Sequence, residues 1–113
     1  MLRTCSFAHA AGVLALALAL TAAPSFAGDA AASTIVMAKD FMFAPTSLTI
    51  KSGSTVTWTN KDDEPHTVVS DAGLFRSGAM DTNESFSFKF DRPGTYHYAC
   101  SIHPRMVGTI VVQ

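Results

Sequence analysis

Four side chains with metal-binding atoms stand in two short segments of this chain. Cys100, His103 and Met106 follow a CxxHxxM spacing, and His66 lies 34 residues upstream of Cys100. Together they provide one thiolate, two imidazoles and one thioether. Such a set suits copper, because soft sulfur favours Cu(I) and imidazole accommodates both oxidation states, with the methionine as a weak axial ligand. Structural zinc prefers four Cys or His ligands, so the methionine argues against zinc.

Each of these residues has a simpler explanation when it is considered alone. An isolated histidine such as His66 is more often a loop or core residue, and an isolated methionine such as Met106 more often fills the core. Cys100 could be a catalytic nucleophile, but no Asn or Asp near His103 suggests an orienting partner. The combination of all four residues therefore favours a metal site over the separate explanations.

His97 and the acidic run Asp62-Asp63-Glu64 also carry groups that can bind metal, but we interpret both as structural features. His97 lies three residues before Cys100, and alternation along a strand sends the two side chains to opposite faces, so we expect His97 to face solvent. The acidic run Asp62-Asp63-Glu64 is interpreted as a solvated turn.

The elements that must position the four residues are strands, since apolar residues recur with a period of two. Val56 and Trp58 alternate with threonines, and Phe86, Phe88 and Phe90 alternate with polar residues. The strands are predicted at residues 34–38, 48–51, 55–59, 66–70, 85–90, 95–100 and 109–112. Short, half-buried strands without an intervening helix predict an all-β fold, a Greek-key β-sandwich of about seven to eight strands.

The first 27 residues have the character of a signal peptide. Arg3 is followed by an uncharged run from Ala10 to Ala23, and small residues precede a predicted cut between Ala27 and Gly28. This run is shorter than the roughly 20 residues of a membrane-spanning helix. We therefore predict a signal peptide at 1–27, a single domain at 28–113, export to the periplasm and no stable membrane insertion after cleavage; an uncleaved anchor is the alternative.

Composition restricts the partners of the chain. The 113 residues carry a net charge of −1, and neither a basic face nor a lysine-arginine cluster is visible. Nucleic acid is therefore not an expected partner. Cys100 is the single cysteine after residue 27, so it forms no disulfide within the predicted domain, and a ligand role or burial would protect the thiol.

Residues 93–110, which contain the CxxHxxM spacing, resemble the C-terminal hairpin of small cupredoxins, and Pro65-His66-Thr67-Val68 resembles their other ligand strand. The short gaps on either side of His103 are more similar to amicyanin than to plastocyanin or pseudoazurin. The similarity extends from Ile35 to the C-terminus. It departs at Thr67, where many relatives have an Asn that helps to tie the two ligand loops together, so the contact at this position and the reduction potential stay open.

The resemblance implies a blue copper protein rather than an enzyme, with His66, Cys100, His103 and Met106 as ligands of one copper ion. It implies a monomer that carries single electrons between a donor and an acceptor by transient docking. His103 is expected at the solvent edge, with His66 and Cys100 buried on strands. Candidates for an apolar rim around that edge are Leu74, Phe75, Met80, Ile102 and Pro104, with Arg105 as a cation within it. A copper-delivery or copper-homeostasis protein without a redox partner is the alternative.

Overall fold

The computed structural model describes residues 12–21 and 32–113, and the folded part begins with the first strand at Ser33. The described residues form eight strands and no helix. The strands are β1 (Ser33–Lys39), β2 (Met42–Ala44), β3 (Ser47–Ile50), β4 (Ser54–Asn60), β5 (Val69–Ser70), β6 (Ser85–Phe90), β7 (Gly94–Ala99) and β8 (Val107–Val112). A strand is present in each of the seven predicted regions. The structure adds β2, which was not predicted because three residues are too short to show an alternating pattern.

The strands form two four-stranded sheets that pack face to face. One sheet has the order β2-β1-β4-β6 and the other has the order β3-β8-β7-β5. Both sheets are mixed, because β1 runs parallel to β4 and β3 runs parallel to β8, whereas the other neighbours are antiparallel. The predicted all-β sandwich is confirmed.

The core follows from the alternation in β4. Val56 and Trp58 are fully buried, whereas Thr57 and Thr59 point outward and form hydroxyl hydrogen bonds with serines of β6. The Trp58 ring is the centre of an aromatic cluster that joins the two sheets through Phe75, Phe86, Phe90 and Tyr98. Burial of these large rings stabilises the sandwich.

Several loops meet at one end of the sandwich. The loop from Cys100 to Met106 joins β7 to β8, the β1–β2 turn contains Asp40 and Phe41, and the loop after β4 leads to His66. His66 was predicted inside a strand at 66–70, but β5 contains only Val69 and Ser70. The prediction was wrong at this point because His66 pairs with Met80 of the following loop in an isolated bridge, outside both sheets.

The predicted cleavage point between Ala27 and Gly28 lies outside the described residues. Residues 12–21, which belong to the apolar run, are exposed and have no regular secondary structure. Among the residues described, no helix has the length and apolar character to cross a membrane.

Candidate metal centre

The β7–β8 hairpin places three of the predicted ligands on one short loop. Cys100 directly follows β7, and Met106 directly precedes β8. The Cys100 N–H donates to the carbonyl of Met106 over 2.9 Å, and the Met106 N–H donates to the carbonyl of His103 over the same distance. These two bonds close the loop, so the sandwich itself determines where Cys100, His103 and Met106 lie.

His66 is held by its backbone against the loop that follows β5. Its N–H donates to the carbonyl of Met80 over 3.2 Å, and the Met80 N–H donates to the carbonyl of His66 over 2.8 Å. The buried Asn60 side chain donates to the carbonyls of Glu64 and Met80, and it accepts the N–H of Asp62. Asn60 thus orders the segment that leads from β4 into His66.

Three donor atoms from these two segments converge. Cys100 Sγ lies 4.0 Å from His66 Nδ1 and 3.8 Å from His103 Nδ1, and the two Nδ1 atoms are 3.2 Å apart. Donors about 2.0–2.3 Å from one first-row metal ion lie roughly 3.3–3.8 Å from one another, and the three observed distances depart from this range by no more than about 0.2 Å, so the spacing suits a single ion. His66, Cys100 and His103 form a metal-binding cluster among the described residues.

Burial differs among the four predicted ligands. His66, Cys100 and Met106 are buried, whereas the His103 side chain is 26% exposed. His103 therefore lies at the solvent edge, as predicted, and the prediction that His66 and Cys100 are buried is also confirmed. Neither of those two is on a strand, because Cys100 comes one residue after the end of β7 and His66 comes before β5.

The surroundings of Cys100 favour the thiolate. Burial raises the pKa of this thiol, but N–H groups of Thr67, His103 and Ile102 and the His103 ring outweigh burial and lower the pKa from 9.0 to about 6. The Thr67 N–H lies 3.4 Å from Sγ. Since the thiolate is the metal ligand, the site is prepared to bind a soft cation.

Thr67 connects the two ligand segments. Its hydroxyl accepts the N–H of Ser101 over 2.8 Å and forms a second hydrogen bond of 2.8 Å with the Ser101 hydroxyl. The position at which many relatives have Asn is thus occupied by a side chain that still ties the loops together.

Sequence reasoning missed the role of Asp62. The acidic run was interpreted as a solvated turn, and Asp63 and Glu64 are indeed exposed, but the Asp62 side chain is only 13% exposed. Its carboxylate Oδ2 lies 2.7 Å from His66 Nε2. The separation of four residues between the carboxylate and a predicted ligand histidine was the signal that could have found this contact.

Phe41 was also missed. Its ring packs edge-on against both imidazoles, with centroids 5.5 Å from His66 and 5.0 Å from His103. It lines an open depression outside the site together with Ile102, His103, Pro104, Arg105 and Met106. Nothing in the local pattern indicated that the β1–β2 turn reaches this loop.

The predicted apolar rim is therefore partly wrong. Ile102 and Pro104 line the depression, with Arg105 beside them. Phe75 is buried because its ring packs against aromatic rings of both sheets, and Met80 is buried at its bridge with His66. Leu74 lines a different groove with residues of β6 and β7.

His97 behaves as predicted. It is exposed on the outer face of β7, where its Nδ1 lies 3.1 Å from the Thr109 hydroxyl, while Tyr98 and Cys100 point inward. It takes no part in the donor cluster.

Known proteins match this chain in sequence and in fold. The Cupredoxin-like domain family matches residues 10–112. Amicyanin-alpha of Methylorubrum extorquens is 36% identical over 124 residues, which cover 99% of this chain and all of that protein. Plastocyanin of Scenedesmus fuscus is 44% identical over 85 residues, covering 64% of this chain and 87% of that protein.

Solved structures agree with the sequence relatives. A Cu(I) form of an amicyanin variant matches with a TM-score of 0.69 and 31% identity, over 72% of this chain and 82% of that one. A purple cupredoxin from Nitrosopumilus maritimus matches with a TM-score of 0.66 and 33% identity, over 71% of this chain and 99% of that one.

Proposed function

The chain belongs to the cupredoxin family of copper-binding electron carriers and is not an enzyme, and on that premise we propose that it is a type 1 copper protein that passes single electrons between redox proteins in the periplasm. The observation that carries the proposal is the convergence of His66 Nδ1, Cys100 Sγ and His103 Nδ1 at the end of the sandwich. These three atoms would hold the copper ion, and the soft thioether of Met106, at the end of the closed loop, would be a weaker fourth ligand.

Copper supplies the one-electron chemistry when it is bound. The chain would supply a site held in one shape by backbone and side-chain hydrogen bonds. The hydrogen bonds that close the loop between Cys100 and Met106, and the Thr67–Ser101 pair, hold the donor atoms in place. A site that does not have to rearrange between the preferences of Cu(I) and Cu(II) can exchange an electron quickly.

His103 is the point at which electrons enter and leave. Its ring is the partly exposed imidazole of the cluster, and it lies in the depression lined by Phe41, Ile102, Pro104 and Arg105. A shallow apolar surface of this kind suits a short-lived redox complex that buries little area. The chain is expected to be a monomer that docks through this surface.

Export is part of the proposal. The residues before Gly28 have the basic start, apolar run and small residues of a signal peptide. Mass spectrometry of the protein from a bacterial periplasmic extract should show a chain that begins at Gly28. A full-length chain in the membrane fraction would instead indicate an uncleaved anchor.

The central experiment is the visible spectrum of the protein loaded with Cu(II). We expect an intense band from sulfur-to-copper charge transfer, and we expect Cys100→Ala to remove it while leaving a soluble fold. If the Cys100→Ala variant keeps the band, the ligand assignment is wrong.

The same loaded protein distinguishes electron transfer from copper delivery. An electron carrier should show fast self-exchange and a Cu(II) form that is stable in air. Ready loss of Cu(I) to a chelator, with slow self-exchange, would favour a copper-delivery protein.

A further inference from the structure

The Asp62 carboxylate lies between the β1–β2 turn and the buried imidazole of His66. Oδ1 accepts the Asp40 N–H over 2.7 Å, and Oδ2 accepts the Phe41 N–H over 3.1 Å. Oδ2 is also 2.7 Å from His66 Nε2. Each oxygen is thus anchored by at least one backbone N–H, so the carboxylate cannot rotate away from the histidine without losing the turn.

The hydrogen bond assigns the protons of the His66 ring. A charged carboxylate only accepts hydrogen bonds, so Nε2 must carry the proton, and a neutral imidazole then has an unprotonated Nδ1. That Nδ1 is the atom that faces Cys100 and His103. The N–H groups of Asp40 and Phe41 both donate to this carboxylate, an environment that favours its charged form.

We propose that Asp62 is a positioning residue of the copper centre, which fixes the ring orientation and tautomer of His66 and is itself held by the backbone of the β1–β2 turn. This inference rests on the proposed function, because it assigns a role toward a copper ion bound by His66. A carboxylate on the far nitrogen of a ligand histidine orients the ring and makes it a stronger donor.

The backbone conformation of the β1–β2 turn suits this role. Asp40 and Phe41 both have positive φ angles, 54° and 57°, a conformation that residues other than glycine adopt at a cost. That conformation directs two successive N–H groups at one carboxylate, as in other backbone anion sites. The same turn also places the Phe41 ring against both imidazoles.

The experiment compares Asp62→Asn with Asp63→Asn. The two changes remove the same charge from adjacent positions, but Asp63 is exposed and has no contact with His66. An amide at position 62 has one acceptor oxygen and one NH2 group, so either the His66 Nε2–H and the Phe41 N–H or the Asp40 N–H loses its acceptor. We expect Asp62→Asn to weaken Cu(II) binding about 10–100-fold, measured by chelator competition, and to raise the reduction potential, because a weaker donor stabilises Cu(II) less. Asp63→Asn should behave like the wild type in both measurements.

The outcomes separate this inference from the proposed function. If the wild type and Asp63→Asn bind no copper with the expected colour, the proposed function fails. If both bind copper and Asp62→Asn matches them in affinity and potential, only the role of Asp62 is overturned.

A second measurement needs neither a variant nor copper. Nitrogen NMR of metal-free, histidine-labelled wild-type protein at neutral pH reports which ring nitrogen carries the proton. We expect the Nε2–H tautomer of His66 with a slowly exchanging proton. The Nδ1–H tautomer would overturn the proposal even if Asp62→Asn failed to fold.

Discussion

At the residue scale, the site depends on a few short-range bonds whose loss should be measurable one at a time. Thr67 is the clearest case, because its hydroxyl holds Ser101 while its N–H faces the sulfur of Cys100. The same hydroxyl also lies 3.7 Å from Cys100 Sγ, so it contacts both the second loop and the sulfur. A substitution that removes only the hydroxyl therefore tests its bond to Ser101, while the Thr67 N–H stays against the sulfur.

Thr67→Val keeps the size of the side chain and removes the hydroxyl. The Ser101 N–H then loses its partner, so we expect the free energy of unfolding to fall by about 1–3 kcal/mol in a denaturant titration, while the copper colour stays. Thr59→Val is the control, because it breaks a similar threonine–serine pair on the outer face of a sheet and should cost less than about 1 kcal/mol. Equal losses in the two variants would contradict a special role for Thr67.

Met106→Gln tests the proposed axial ligand. A long thioether bond contributes little affinity but tunes the metal, so we expect copper to remain bound and the reduction potential, measured by voltammetry, to fall. Met37→Gln on the outer face of β1 serves as the control, and it should leave the potential unchanged. Complete loss of copper, or a potential equal to that of the wild type, would show that Met106 only fills the core.

At the element scale, the β7–β8 hairpin connects the core to the ligand loop, because β7 and β8 pack in the core and the loop joins them. Tyr98 lies opposite Gly108 in the ladder, and its ring covers the glycine so closely that a Cβ added at position 108 would overlap it. Gly108 is only two residues from Met106. The close approach of Tyr98 therefore requires a glycine in β8 two residues after the last predicted ligand.

Gly108→Ala should disturb this packing. The added methyl group must displace the buried Tyr98 ring, so we expect the free energy of unfolding to fall by about 1–3 kcal/mol or more in a denaturant titration. Gly78→Ala is the matched control, because no atom lies within 4 Å of a Cβ at that position. If the two variants unfold at the same denaturant concentration, the Tyr98 contact does not constrain the hairpin.

At the scale of the whole molecule, one core supports loops from both sheets. The cluster around Trp58 joins β4 and β6 of one sheet to β7 of the other, and β7 leads directly into Cys100. The donor atoms come from segments on both sides of the sandwich end. A bound ion therefore links segments that separate when the protein unfolds, so binding and folding are coupled.

Copper should stabilise the fold as a whole. A ligand present at 1,000 times its dissociation constant adds about 4 kcal/mol to the free energy of unfolding, so the copper-loaded protein should melt at a clearly higher temperature than the metal-free protein in calorimetry. Cys100→Ala should abolish this difference. An equal rise in melting temperature for that variant would mean that copper stabilises the protein somewhere other than at the donor cluster.

The sequence by itself determined the features that depend on local pattern. Alternation in residues such as Val56 and Trp58 predicted the strands, because each strand buries one face whatever its neighbours are. The same rule correctly predicted that the His97 side chain faces solvent. The spacing of Cys100, His103 and Met106 indicated copper because these residues lie within one loop, where distance along the chain limits distance in space.

The tertiary structure alone decided what segments distant in the sequence do together. The mixed pairing of the sheets, the position of His66 in a bridge with Met80 and the burial of Phe75 all depend on which elements become neighbours. The anchoring of Asp62 by the β1–β2 turn and the placement of Phe41 arise in the same way, because the turn and the carboxylate are more than 20 residues apart. Such contacts leave no periodic signal in the sequence, since they arise only when the whole sandwich has folded.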